Sequence, residues 1–188
     1  MRRIFRVNRK RLMFISIVLL VLGALIYTFY ERYIDEVNAV LWHKEHGDYV
    51  QIGGYRLKLP MSWLPIITES DGTLIMINSS HGYTGSSTGI RIYPINPEGI
   101  FDTDKDLINA MQKMVNMQNK DVSNSDRQRP TKLDIIKSRS VTFYCVNETL
   151  YDGEYMLHCA AAKLQYRISS TGLAKWENET ELILSSWE

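Results

Sequence analysis

Two histidines three residues apart are the first candidates for chemistry in this sequence. His43 and His46 lie in a segment whose pattern predicts a helix, and Asp48 follows shortly after them. Residues three apart share one face of a helix, so both imidazoles could point towards one metal ion. Protein metal sites normally use more than two such ligands, and a solvated histidine pair is therefore the preferred interpretation. Metal binding at His43 and His46 is kept as the alternative.

A histidine in a serine-rich segment is the second candidate. His81 lies close to Ser79, Ser80, Ser86 and Ser87, so a serine nucleophile with a histidine base can be considered. No G-x-S-x-G elbow surrounds any of these serines, and no acid is recognisably placed to orient the histidine. The pattern favours a polar loop, with a hydrolase or small-ligand site at His81 as the alternative. We therefore predict no catalytic residue, no metal ligand and no cofactor.

Four further side chains are better explained by packing than by chemistry. His158 lies beside Cys159 in a predicted central strand and is interpreted as structural. Met111, Met114 and Met117 belong to a predicted helix, and the first two fit its buried stripe. Packing is also the preferred interpretation for Met117, with exposure at an interaction groove as the alternative.

The two cysteines, Cys145 and Cys159, flank a predicted β-hairpin. Asp152 and Gly153 between them are a strong turn signal. A three-residue loop with Gly153 in the left-handed conformation places Cys145 directly opposite Cys159, whereas a two-residue loop leaves them one position out of register. We predict a cross-strand disulfide, because the topology described next implies an oxidising compartment. Two buried free thiols are the alternative.

Residues 12–30 form a run of nineteen positions without a charge, directly preceded by the basic residues 1–11. A helix of this length spans roughly 28 Å, close to the hydrocarbon thickness of a bilayer. The positive-inside rule then predicts a cytoplasmic N-terminus, a transmembrane anchor at 12–30 and export of the rest of the chain. A cleaved signal peptide is the alternative. The apolar run is long for a signal peptide, and no small-x-small site follows it closely.

Charge divides the chain at this anchor. Six basic residues and no acid precede residue 12, so the part beyond residue 30 carries 16 basic and 21 acidic residues, a net charge of −5. A mildly acidic domain lacks the basic patch that nucleic-acid phosphates require, and we predict no nucleic-acid partner. The membrane contact is expected from residues 12–30 alone. We expect a bacterial protein that is anchored in the inner membrane and has its domain in the periplasm.

The exported part is predicted to be a helical stalk, residues 31–47, followed by one α+β domain, residues 48–188, with a mainly antiparallel sheet covered by helix. Ile34, Val37 and Leu41 share one face of the stalk, and Gly47 is its predicted end. The elements predicted for the domain are a strand pair around Gly53-Gly54 closed by Pro60, strands 73–78 and 88–95, a helix 103–118 capped by Thr103 and Asp106, a long hairpin pairing 133–150 with 154–170, and a final strand in ELILSSW.

This order of elements resembles a known fold family. A strand ending in LKLPMSW is followed by two short strands, the capped helix TDKDLINAMQKM, a long hairpin and a closing ILSSW. The pattern is similar to the PsbP-like fold, an α/β/α sandwich found in photosystem accessory subunits and in bacterial envelope proteins of the DcrB type. The resemblance covers residues 48–188, and its local signature is the strand followed by Pro60 and Trp63. It implies binding, accessory or chaperone-like roles and no shared catalytic residues.

Together these features predict a non-enzymatic envelope protein whose periplasmic domain binds another protein. The partner would be a membrane complex, which the protein serves as an accessory subunit, or a delivered toxin, which it neutralises as an immunity protein. Loops 79–89 and 119–132 are the predicted contact surface, because loops on a rigid scaffold commonly carry recognition. The alternatives are a receptor or hydrolase that uses His81 or the His43/His46 pair, and a structural subunit of a membrane complex.

Overall fold

A long helix precedes the domain. The computed structural model describes residues 9–68, 72–79, 89–120, 131–149, 153–173 and 177–188. Helix α1 runs without interruption over Arg9–His46, 38 residues or about 57 Å. It ends at Gly47, which has a left-handed backbone (φ 75°) and donates its N–H to the His43 carbonyl at 2.8 Å. This is an αL C-cap, and the predicted end of the stalk helix at Gly47 is confirmed.

A short hairpin follows α1 and forms a two-stranded sheet of its own. Strand β1 is Tyr49–Ile52 and strand β2 is Tyr55–Lys58, and Ile52 pairs with Tyr55 across Gly53-Gly54 as predicted. One further hydrogen bond, from the Leu59 N–H to the Asp48 carbonyl at 2.7 Å, closes the hairpin directly before Pro60.

Seven strands form the main sheet, and every neighbouring pair in it is antiparallel. They are β3 (Trp63–Thr68), β4 (Leu74–Asn78), β5 (Gly89–Pro94), β6 (Lys132–Lys137), β7 (Thr142–Thr149), β8 (Glu154–Ala160) and β9 (Tyr166–Leu173). Their order across the sheet is β3-β4-β5-β9-β8-β7-β6. The predicted α+β class with a mainly antiparallel sheet is confirmed.

Strand β3 was absent from the predicted elements. Pro65 lies within it, and proline lacks the N–H that a central strand needs. The strand is nevertheless formed because it lies at the edge of the sheet, and its register shifts between Pro65 and Ile67. Only the position at the edge, which is a tertiary property, makes this sequence acceptable as a strand.

The predicted long hairpin is wrong in its number of strands, because residues 132–173 form the four strands β6 to β9. The first unpredicted break is a tight turn in which the Ser138 hydroxyl accepts from the Val141 N–H at 3.0 Å and the Ser138 N–H donates to the Val141 carbonyl at 2.9 Å. The second break separates β8 from β9, where Lys163 has a left-handed backbone (φ 61°). Neither turn carries the Gly or Asn-Gly signal by which hairpins are usually detected.

Helix α2 (Asp104–Lys120) covers one face of the sheet. Thr103 caps it as predicted, accepting from the Asp106 N–H at 3.2 Å and donating to the Asp106 carboxylate at 2.7 Å. Its buried residues pack against side chains that β7 and β8 direct to this face. The cluster consists of Leu107, Met111, Val115, Tyr144, Val146 and Ala160.

Helix α3 (Glu177–Ser185) covers the opposite face and corrects the final strand predicted for ELILSSW. Thr180, Ile183, Leu184 and Trp187 are buried, at spacings of three, one and three. This is a helical period, and the short apolar run concealed it. Together with the β1–β2 hairpin, α3 encloses the larger core cluster, so helices lie on both faces in an α/β/α sandwich.

The stalk part of α1 packs on the domain through a face that differs from the predicted one. Asp35, Ala39 and His43 are buried, whereas Val37 and Leu41 are about half exposed. The buried residues follow a spacing of four and lie against the edge strand β3. Ala39 is 0% exposed, and its small side chain lets the helix approach the domain closely.

Candidate functional site

His43 is the point at which α1 is fastened to the domain. Its ring lies within hydrogen-bond distance of the Asp48 carboxylate (Nδ1, 3.1 Å) and of the Pro60 and Trp63 carbonyls (Nε2, 3.0 and 3.1 Å). All three partners are protein oxygens, so both ring nitrogens are already engaged within the protein. A metal ligand needs a free imidazole lone pair, and His43 therefore does not offer one.

His46 faces away from this contact. Its ring stacks on Trp42, with 5.2 Å between ring centroids and an interplanar angle of 10°, and its Nδ1 lies 3.1 Å from the Trp42 carbonyl. The structure therefore does not bring His43 and His46 together as a ligand pair. Within the described ranges, no three His, Cys, Asp or Glu side chains are grouped so that they could hold a metal ion.

The predicted serine and histidine site is described only at its first residue. His81, Ser80, Ser86 and Ser87 lie outside the described residues. Ser79 is buried, and both its backbone N–H (2.7 Å) and its hydroxyl (2.8 Å) donate to the Ser62 carbonyl. Its hydroxyl thus anchors the end of β4.

Cys145 and Cys159 lie directly opposite each other on β7 and β8. The two sulfurs are 2.09 Å apart, the distance of a disulfide bond, and both side chains are buried on the α3 face of the sheet. The strand register is the one required by a three-residue loop, and Gly153 has the expected left-handed backbone (φ 81°). Tyr151 and Asp152, the other residues of that predicted loop, lie outside the described residues.

Both predicted contact loops leave from the same end of the sheet. Residues 80–88 and 121–130 are outside the described ranges, but the residues that flank them are described. In the sheet, Gly89 pairs with Thr171, Thr171 with Met156, and Met156 with Glu148. A fourth step leads from β7 to Lys132 of β6, where the second loop re-enters the sheet, so four inter-strand steps of about 4.8 Å place the bases of the two loops about 19 Å apart. We call this region the loop end of the domain.

The base of the second loop is closed by one asparagine. The Asn119 amide donates to the Thr131 carbonyl at 2.9 Å and accepts from the Thr131 N–H at 2.8 Å. These two hydrogen bonds have the same pattern as those between paired β-strand residues, and they hold the end of α2 beside the start of β6. A hydrogen bond from Gln118 to Glu148 of β7 reinforces the contact. Sequence analysis missed Asn119, because its partner lies twelve residues away across a segment without a pattern.

The methionines of α2 divide between the core and the surface. Met111 is buried, Met114 is 37% exposed and Met117 is 53% exposed. The packing interpretation is therefore wrong for Met117, and Met114 lies at the margin of the buried stripe. Met117 is close in sequence to Gln118 and Asn119, so it presents an adaptable apolar side chain at the loop end.

A polar cleft of about 610 Å³ lies at the other end of the sheet. Asp102, Asp104, Lys163 and Tyr55 are among its lining residues. Acidic and basic groups of opposite charge line it together, so it shows no preference for an anionic or a cationic ligand.

Comparison with known proteins gives a structural similarity and no sequence relative. No family model matches the chain, and no curated protein matches its sequence. Among solved structures, it is similar to the cyanobacterial PsbP protein (CyanoP) from Synechocystis sp. PCC 6803. The TM-score is 0.39 and the identity is 15%, over 72% of this chain and 86% of that chain. The predicted PsbP-like resemblance is confirmed as a weak similarity over a segment.

Proposed function

We propose that this protein is a non-enzymatic, single-pass membrane protein of the bacterial envelope whose periplasmic domain binds another protein. The N-terminus would lie in the cytoplasm, and residues 12–30 would anchor the chain in the inner membrane. The domain would act either as an accessory subunit of a membrane complex or as an immunity protein that neutralises a delivered toxin.

The observation that carries this proposal is the continuity of α1. Within this helix, Met13–Tyr30 is long and apolar enough to cross a membrane, with a mean hydropathy of 2.3 and no part buried in the protein. The same helix continues to His46, and its Asp35, Ala39 and His43 are buried against the domain. Signal-peptide cleavage after residue 35 would remove Asp35 from this contact, and cleavage after residue 39 would remove Ala39 as well. The integration of the helix into the fold therefore supports retention as an anchor.

The loop end supports protein binding. The flanking residues of both predicted contact loops are held by side-chain hydrogen bonds, through Ser79 on one side and through Asn119 on the other. Rigid bases lower the entropy that recognition loops lose when they bind. Met117 adds an exposed apolar side chain beside them, of the kind that is enriched in protein interfaces. The disulfide-bonded pair Cys145 and Cys159 fits the oxidising compartment that the proposed topology implies.

The test is chemical cross-linking in intact cells followed by mass spectrometry. The full-length protein is compared with an anchor-only chain of residues 1–46, so that partners of the domain are separated from partners of the helix. Met117→Glu places a charge at the loop end. Leu182→Glu makes the same change at a residue that is 64% exposed on α3, on the opposite face, and serves as the matched control.

We expect a partner that only the full-length protein captures. Met117→Glu should lower its capture by about tenfold or more, the size of effect typical of a central interface residue, and Leu182→Glu should leave it unchanged. Capture of a secreted toxin would support the immunity role, and capture of resident membrane proteins would support the accessory role. The absence of any domain-dependent partner would contradict the proposal.

The orientation is tested separately by a reporter enzyme fused after Glu188. A reporter that works only outside the cytoplasm should be active, because the proposed topology exports the C-terminal domain. Activity restricted to a cytoplasm-specific reporter would contradict the orientation and leave the protein-binding proposal to be judged by the cross-linking result.

A structural role in a membrane complex is the second candidate. It is favoured by the exposed apolar side chains Val37, Val40 and Leu41 on the stalk part of α1. If this helix packs on other membrane subunits, replacing residues 12–30 with an unrelated transmembrane helix should abolish assembly. A simple tether would tolerate the replacement.

A further inference from the structure

A second cavity lies between α2 and the sheet. It has a volume of about 260 Å³ and is bounded by β5, β8 and β9. We call it the α2 cavity and define it by Tyr93, Phe101, Met111, Met114, His158 and Arg167. Its size is just below the range of about 300–1,000 Å³ that pockets for drug-sized molecules occupy. The cavity is therefore suited to a small ligand.

The walls of the α2 cavity are mainly apolar. Phe101, Met111 and Met114 contribute their side chains from the segment before α2 and from the helix itself. Ala160 closes it from the sheet. Methionine side chains adapt to the shape of an apolar group, so this lining favours a hydrocarbon chain or an aromatic ring.

Four polar side chains also line the α2 cavity: Gln118 comes from α2, and the strand register brings the other three together. Arg167 on β9 is directly opposite Tyr93 on β5, and His158 on β8 pairs with Ser169, two positions from Arg167. These positions alternate to the same face of the sheet, so the three groups are direct or diagonal neighbours. A few convergent polar groups in an apolar pocket are typical of a ligand site.

Within the described part of the protein, Tyr93, His158 and Arg167 make almost no side-chain hydrogen bonds. Arg167 makes one long hydrogen bond, from Nη2 to the Gly99 carbonyl at 3.4 Å, and no ion pair with a described carboxylate. Among the described residues, the Tyr93 hydroxyl and the His158 ring have no hydrogen-bond partner. A half-buried guanidinium without a carboxylate is costly unless an anion or water compensates it.

Among the residues that line the α2 cavity, Arg167 carries a positive charge and none is an acid. Arg91 follows the same face of β5, diagonal to Arg167. On the described parts of β5 to β9, the acids on this face are Glu154, at the far end of β8, and Glu148 of β7, which accepts a hydrogen bond from Gln118. The α2 residues that line the cavity are uncharged. One half-buried positive charge with one hydroxyl donor matches a carboxylate, whose two oxygens fit the fork of a guanidinium.

We propose that the α2 cavity binds a small carboxylic acid that carries an apolar chain or ring. Arg167 pairs with the carboxylate, Tyr93 donates a second hydrogen bond to it, and Phe101 with Met111 and Met114 surrounds the apolar part. This site differs from the two that the sequence suggested, at His81 and at His43/His46. It does not depend on the protein-binding proposal, because Arg167 and Tyr93, which would hold the carboxylate, do not belong to the loop end.

The test is a binding titration of the full-length protein in detergent micelles, in which calorimetry and ligand-observed NMR detect the binding. The probe is 3-phenylpropionate. Its neutral amide, 3-phenylpropionamide, has nearly the same shape and lacks the charge, and acetate has the charge and lacks the ring. Arg167→Gln removes the positive charge, and Ala110→Leu fills the cavity from α2 while Arg167 is kept. Arg91→Gln removes an exposed arginine on the same face and is the matched control.

We expect saturable binding of 3-phenylpropionate and at least about tenfold weaker binding of the amide and of acetate. Arg167→Gln and Ala110→Leu should each weaken 3-phenylpropionate binding by a similar factor. Arg91→Gln should change it by less than about threefold, because Arg91 is solvent-exposed and does not line the cavity. Arg167→Gln and Ala110→Leu are both tested, so that misfolding of one of them does not decide the result. The proposal is overturned if 3-phenylpropionate shows no saturation up to about 10 mM, a concentration beyond any specific site of this kind. It is also overturned if acid and amide bind equally, or if both variants bind like the wild type.

Discussion

Replacing His43 should detach the membrane helix from the domain and lower the stability of the whole protein. The side chain of His43 is 1% exposed, and its ring bridges α1 to the Asp48 carboxylate and to the Pro60 and Trp63 carbonyls. His43→Leu keeps most of the packing volume and removes every hydrogen bond. The Pro60 carbonyl still accepts from the Trp63 N–H at 2.9 Å, so the main loss falls on the Trp63 carbonyl and the Asp48 contact.

The magnitude follows from these two losses. A buried acceptor left without its partner costs about 1–3 kcal/mol. The pair with the half-exposed Asp48 adds at most about 1 kcal/mol, because solvent screens it. A total of about 2 kcal/mol lowers the melting temperature of a protein of this size by about 4–8 °C.

The assay is thermal unfolding of the full-length protein in detergent, followed by tryptophan fluorescence and near-UV circular dichroism. His46→Ala is the matched control, because this histidine lies three residues away on the same helix and is exposed; its effect should stay within about 0.5 kcal/mol. Limited trypsin cleavage after the exposed Lys44 should also become faster in His43→Leu, since detachment opens the helix end. The reasoning is refuted if His43→Leu melts like the wild type, or if both histidine variants lose the same stability.

Three further predictions concern the domain. Replacing Cys145 and Cys159 with alanine should lower the free energy of unfolding by about 2–4 kcal/mol, and two freely labelled thiols in unfolded, unreduced protein would contradict the bond. Tyr155→Phe should cost about 1–2 kcal/mol, because the buried hydroxyl lies 2.6 Å from the Thr180 hydroxyl. Burial raises the pKa of Tyr155 above 10.0. The wild type should therefore lose stability relative to Tyr155→Phe as pH rises from the ordinary tyrosine pKa through the raised folded value. Parallel pH dependences of the two proteins would argue against this. The hydrogen bond from Arg56 lowers the pKa of Glu188 below 4.5. The stability that ionised Glu188 contributes is therefore present above pH 4.5 and lost as pH falls through the folded pKa. Urea unfolding of Glu188→Gln should show a weaker loss of stability towards acid, and an unchanged acid profile would count against this contact.

Sequence reasoning was most accurate where the controlling interaction is local. The cap of α2 at Thr103, the end of α1 at Gly47 and the hairpin at Gly53-Gly54 each depend on residues within a few positions of one another. The register that opposes Cys145 to Cys159 also follows from a turn signal between them. A loop length sets the pairing of its two strands, so such features can be predicted without the rest of the fold.

The candidate binding sites were less accessible to the sequence. Arg167 meets Tyr93 because β9 is inserted between β5 and β8, although the two residues are far apart in the chain. Asn119 closes a loop base across an unpatterned segment. None of these contacts has a local signature, since each depends on strand order.

The sequence by itself determined the apolar membrane segment, the α+β class, the helix α2 and the cysteine pair across one hairpin, because periodicity, charge and turn residues act over a few positions. Only the tertiary structure decided that Pro65 lies in a strand, that the chain after Glu177 is a helix, and that Asp35, Ala39 and His43 form the buried face of α1. In each of these cases the packing partner decides the outcome. The edge position of β3 tolerates Pro65, the core buries Ile183 and Leu184, and the Pro60 and Trp63 carbonyls are bound by His43. Such partners exist only after distant segments have come together, so no local pattern can specify them.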